Sequence, residues 1–117
     1  MNYPEFDASW FDYRNANEAF AQGHYGKASK ILRQAFADSQ ITGVVDPKLV
    51  LTANSLAERY FDDGNYAAAA SLWRTVLDIR TKMLGADHTD VQETRRKLAA
   101  ALWNAGGISP RMLAAQQ

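Results

Sequence analysis

The sequence predicts an all-α fold built from repeated helix pairs, and three observations carry that expectation. Apolar residues recur at helical spacing over Tyr25 to Phe36, Leu49 to Phe61, Tyr66 to Met83 and Val91 to Trp103. The chain also repeats itself. Shifted by 41 positions, Gly23, Tyr25, Ala28, Ile31, Leu32, Ala35 and Phe36 fall on Gly64, Tyr66, Ala69, Leu72, Trp73, Val76 and Leu77. Shifted by 42, Leu49, Leu56, Ala57, Tyr60, Phe61 and Gly64 fall on Val91, Leu98, Ala99, Leu102, Trp103 and Gly106. Self-similarity at such a period is the mark of stacked units. Finally, no stretch alternates apolar and polar residues between turns in the manner of a strand.

Each element has its own justification. Residues 1–8 read as a tail. A first helix follows and stops at Gly23, because glycine takes the left-handed conformation that ends many helices. Gly23 leads directly into the helix of Tyr25 to Phe36. Asp46-Pro47 starts the next helix: the Asp side chain accepts from free amides, and Pro suits the first turn. Gly64 ends it, and the turn runs straight into Tyr66 and the alanines that follow. Small side chains there let two antiparallel backbones approach, with Ala28 and Ala69 expected at the tightest contacts and Ala67 and Ala70 on other faces. Thr89 and Gln92 offer a capping box for the last long helix, with Asp87 as the alternative cap, and Gly106 closes it. Ser109-Pro110 starts a short helical stub. The expected division is repeat 1 over 9–41, repeat 2 over 42–84, and a partial repeat 3 with its stub over 85–117, all in one domain.

Composition excludes several function classes. The chain has 117 residues, enough for one domain with a modest core. It has no cysteine, which removes disulfides, thiolate metal sites and cysteine nucleophiles. The first residues lack a basic and apolar leader, and no apolar run reaches the roughly 18 residues of a membrane span, so a cytoplasmic protein without membrane contact is expected. Net charge is zero, which leaves no global field for nucleic acid. The head and tail differ: residues 1–20 balance at −3 and residues 91–117 at +3. Trp10, Phe11 and Tyr13 lack basic neighbours and read as a cap on the first helix pair rather than a base-stacking platform.

No enzymatic constellation emerges, and no cofactor or metal is expected. His24 and His88 stand alone in turns, without a second histidine or carboxylate cluster at ligand spacing. Asp62-Asp63-Gly64-Asn65 lacks the alternating ligands and distal glutamate of a calcium loop. There is no phosphate-cradling glycine loop and no nucleophile elbow.

The residues Leu56-Ala57-x-x-Tyr60-x-x-x-Gly64-x-Tyr66-x-x-Ala69-x-x-x-Trp73-x-x-Val76-Leu77 resemble the signature of a tetratricopeptide repeat. The connector Leu84-Gly85-Ala86-Asp87-His88-Thr89-Asp90-Val91 and the 42-residue spacing are similar to the longer repeats of kinesin light chain, against about 34 for the common repeat. The likeness spans residues 10–108 and is strongest in the second repeat. At the front, Asn15 stands where Leu56 stands and Ala19 where Tyr60 stands. HEAT and armadillo arrays have periods of about 40–47 but not the Gly-x-Tyr-x-x-Ala signature.

The resemblance implies a right-handed α-α superhelix whose first helices line a concave groove for a peptide or partner protein. By the family pattern the groove positions are Tyr13, Asn17 and Phe20 in the first repeat, Asn54, Glu58 and Phe61 in the second, and Arg96, Ala100 and Trp103 in the third. Phe20, Phe61 and Trp103 each precede a turn glycine by three residues. That column is either an apolar stripe for a partner or packing between repeats. Arg96, with Arg95 and Lys97, is either a carboxylate site or a solvated face. The Lys/Asn carboxylate clamp of some family members is matched only by Asn17. Two functions follow: an adaptor that binds a peptide or protein, or a self-association module, with a homodimer formed through the incomplete third repeat or a head-to-tail assembly.

Overall fold

A computed structural model describes residues 8–43 and 45–106. Five helices follow in order: α1 (Ala8–Ala21), α2 (Tyr25–Thr42), α3 (Pro47–Asp62), α4 (Tyr66–Leu84) and α5 (Thr89–Gly106). No strand occurs among the described residues. The fold is all-α, as the helical stripes predict. Most of the expected tail and the whole C-terminal stub lie outside the described residues.

The chain divides into two compact units, Met1–Ala53 and Asn54–Gln117, and the division falls within α3. In the first unit α1 and α2 pack as a hairpin. Its core is small-residue rich: Ala16, Ala19, Ala28, Leu32, Ala35 and Phe36 are buried, along with Leu49, Val50 and Ala53 from the start of α3. Asp46 caps α3 as expected, its carboxylate accepting from the Lys48 amide at 2.9 Å.

In the second unit α4 packs on α5. Leu56, Ala57, Ala69, Leu72, Trp73, Val76, Ile79, Val91 and Ala101 are buried there. Ala70 is buried too, although the pattern puts it on another face; Ala67 is exposed as expected. The one buried hydroxyl of α5, Thr94, is satisfied on both sides. It donates to the Asp90 carbonyl at 2.8 Å and accepts from Arg80 Nη1 at 2.8 Å.

The repeated turn glycines produce the same geometry twice. Gly23 and Gly64 have φ of 80° and 84°, the left-handed region open to glycine. The Gly23 amide donates to the Phe20 carbonyl at 3.0 Å and the His24 amide to Ala19 at 2.8 Å. Forty-one residues on, Gly64 donates to Phe61 at 3.0 Å and Asn65 to Tyr60 at 2.8 Å. Each pair of bonds closes off carbonyls that the helix end would leave open. Ala28 and Ala69, at the first turn of the following helix, are both fully buried.

Two helix ends differ from expectation. The apolar stripe of α2 stops at Phe36, but the helix continues to Thr42. Its last turns are polar and held locally, with Gln34 Nε2 donating to Asp38 Oδ1 at 3.0 Å and the Ser39 hydroxyl to the Phe36 carbonyl at 2.7 Å. A stripe marks where a helix is covered, not how far it runs. At the start of α5, His88 takes the capping role given to Thr89, Gln92 or Asp87. Its Nδ1 accepts from the Asp90 amide at 3.0 Å, while Gln92 Nε2 donates back to the Ala86 carbonyl at 3.0 Å. The imidazole reaches the amide two residues ahead as an Asx side chain does.

Candidate functional site

The candidate site lies within the second unit, where three helices contribute side chains to one pocket of about 410 Å³. Its lining is Glu58, Phe61 and Asp62 from α3, Trp73 from α4, and Lys97 and Ala100 from α5. Spacing explains the set. Residues 58, 61 and 62 fall at i, i+3 and i+4 on one face of α3, and 97 and 100 at i and i+3 on α5. The volume sits near the low end of the about 300–1,000 Å³ usual for ligand pockets.

The apolar floor is fixed by specific contacts. Trp73 is 2% exposed, and its Nε1–H donates to Asn54 Oδ1 at 3.0 Å. Burying an indole requires such a partner for its one donor. Phe61 is half-buried, with its ring centroid 5.8 Å from Trp73 and 5.0 Å from Tyr66, the latter edge-on at 70°. These separations are those of favourable aromatic pairs. Ala100 adds only a methyl group, which leaves the cavity open.

The charged wall is asymmetric. Lys97 Nζ donates to Glu58 Oε2 at 2.6 Å and to Glu93 Oε1 at 3.0 Å. Desolvation acts to lower the Lys97 pKa, but its bonds to Glu58 and Glu93 outweigh that and hold it above 10.5. Glu93 is held below its ordinary 4.5, first by the hydrogen bond from Lys97 and then by attraction to the same ammonium. Lys97 is thus already shared between two carboxylates. The Asp62 carboxylate, on the rim, has no hydrogen bond or ion pair among the described residues.

Of the groove positions read from the sequence, Glu58, Phe61 and Ala100 meet in this pocket. Asn54 stands behind it, its oxygen occupied by Trp73. Arg96 and Trp103 are exposed on α5, on either side of Ala100 along the helix, and neither lines the pocket. Tyr13, Asn17 and Phe20 belong to the first unit. There Lys48 Nζ lies 5.6 Å from the centre of the Tyr13 ring, Phe20 lies 5.7 Å from Tyr25, and Asn17 is exposed.

Sequence reasoning noticed Asp62, Trp73 and Lys97, but as parts of a turn, a repeat signature and a basic trio. Their convergence depends on how α3, α4 and α5 pack, which no local pattern records. Among the described residues, no group of three or more His, Asp or Glu side chains is placed to hold a metal, and no helix is long and apolar enough to cross a membrane.

Residues 49–90 match the family model described as tetratricopeptide repeat. The match contains four of the pocket residues: Glu58, Phe61, Asp62 and Trp73. No curated protein matches the chain.

Proposed function

We propose, on the premise that this chain is a tetratricopeptide repeat protein, that it is an interaction adaptor whose second unit grips one side chain of a partner polypeptide. Tetratricopeptide repeats generally mediate protein–protein interactions. The observation that carries the proposal is the pocket itself: an aromatic floor of Phe61 and Trp73, left open at Ala100 and rimmed by Glu58, Asp62 and Lys97. An anchored floor with a charged rim is the form of a binding hot spot, where a few buried aromatic contacts supply most of the affinity.

The test is selection of a displayed random-peptide library on the whole chain, with the Ala100→Trp variant as the counter-target. The added indole is placed to fill the cavity from the α5 side, and circular dichroism of the variant checks that its helices are kept. Peptides enriched on the parent chain should bind the variant at least about tenfold more weakly, the loss of roughly 1.4 kcal/mol. Equal binding to both, or no enrichment at all, overturns the proposal.

Self-association is the second reading, and the exposure of Trp103, 45% of its surface, favours it. A large exposed indole is the kind of group that a second copy would bury. Sedimentation of the parent and Trp103→Ser chains over a concentration series decides: a concentration-dependent dimer lost on substitution supports it, and a monomer throughout removes it.

A further inference from the structure

We infer that the side chain this pocket selects is cationic, an arginine or lysine of the partner, with its stem on the aromatic floor and its head at Asp62. The inference rests on the pocket being a peptide site and adds the chemistry of the occupant. Charge complementarity is the first argument. The lining carries two carboxylates, Glu58 and Asp62, against one ammonium, Lys97. The charge of that ammonium is already offset, since Glu58 and the neighbouring Glu93 both accept from it. An incoming anion would have at most the third Lys97 N–H to itself and would face Glu58, Glu93 and Asp62 around it. An incoming cation displaces nothing, because Asp62 has no partner among the described residues.

The floor supplies the second argument. Arginine and lysine each have an apolar stem and a charged tip, and they cover apolar surface with the stem while the tip reaches out to polar groups. A guanidinium also stacks on aromatic faces and pairs with carboxylates through parallel N–H bonds. Half-buried Phe61 and Asp62 both line the pocket, so an aromatic face and a carboxylate are offered to the same occupant. Lys97, the cation in the lining, is held by Glu58 and Glu93. Arg59 of α3 is paired with Asp63 at 3.3 Å, and Arg96 of α5 does not line the pocket.

The inference runs against the carboxylate-site alternative for Arg95, Arg96 and Lys97, because Glu58 and Glu93 both accept from the Lys97 ammonium. An acidic peptide becomes the outcome that refutes the inference.

The experiment uses capped pentapeptides Gly-Gly-Xaa-Gly-Gly with Xaa arginine, lysine, citrulline, norleucine or glutamate. They are titrated into the isotopically labelled whole chain, and the Trp73 indole N–H resonance is followed. Arginine and lysine peptides should shift it saturably. Citrulline, the uncharged isostere of arginine, should bind about tenfold more weakly. Asp62→Asn should weaken the arginine peptide by a similar factor while leaving norleucine unchanged, and added salt should weaken the charged peptides alone.

Norleucine binding as well as arginine, or glutamate binding better, overturns the inference while leaving the peptide-site reading intact. No saturable shift with arginine or lysine also overturns it. The library selection then decides the wider reading separately: Ala100-dependent enrichment of peptides without a basic residue keeps it, and its absence removes it.

Discussion

Lys97 is where burial and charge compete most directly. It is half-buried on α5, yet its ammonium reaches Glu58, 39 positions earlier in the chain, and Glu93, one turn back on its own helix. The consequences for stability run in two pH windows. Glu93 has its pKa lowered from 4.5 by the hydrogen bond and charge of Lys97, so that interaction contributes in full above 4.5 and is lost as pH falls through the lower folded value. Lys97 has its pKa raised above 10.5, desolvation being outweighed by its two acceptors. Its contribution is complete below 10.5 and is lost as pH rises through the higher folded value. The Lys97→Met variant keeps the apolar stem and removes the charge. Its melting temperature should therefore fall less than that of the parent at both the acid and the alkaline limbs. Thermal melts across the pH range check this, and parallel curves for the two chains would contradict it.

At the scale of elements, the internal repeat was legible because it is local. Gly-x-Tyr-x-x-Ala encodes a turn and the helix start behind it, and both copies form with matching hydrogen bonds. Their caps differ. Asn65 has φ −89° and ψ 71°, and its side chain accepts from the Ala68 amide; His24 has φ −86° and ψ 68° but makes no side-chain cap bond. The backbone is already set for a cap that the first copy lacks. Two positions further, Gly26 lies in α2 with open space where a Cβ would stand.

Making the first turn like the second, with His24→Asn and Gly26→Ala, should therefore stabilise the chain. A gained cap and the lost backbone freedom of the unfolded glycine each contribute about 0.5–1 kcal/mol. Urea unfolding should show a higher midpoint at unchanged slope. No gain would mean that the cap geometry is insufficient without its own neighbours. The features the sequence hid at this scale, the polar last turns of α2 and the histidine cap of α5, share a cause. Neither involves burying apolar area, and the reading followed burial.

For the whole molecule, helical class was readable from periodicity, but the convergence of α3, α4 and α5 side chains on one pocket was not. Glu58 and Lys97 are adjacent only because α3 and α5 take one register and not the next, and that the Asp62 carboxylate has no partner among the described residues is likewise a matter of packing. Such facts are products of packing. The division of the chain into units is likewise not written in any linker, since it falls inside the continuous helix α3. It makes a testable statement about cooperativity. Ala28 is fully buried in the first unit, so Ala28→Leu inserts volume with no space to receive it, at a cost of about 1–3 kcal/mol. In repeat proteins strain is felt mainly by the nearest neighbours, and proteins open in contiguous units of unequal stability. Native-state hydrogen exchange on the variant should thus show amides of α1 and α2 losing protection by a factor of roughly 5–150, the equivalent of that cost. Amides of α4 and α5 should stay within a few-fold of the parent. Equal losses in all four helices would mean that the chain opens only as a whole, and that its compact units are a feature of geometry and not of stability.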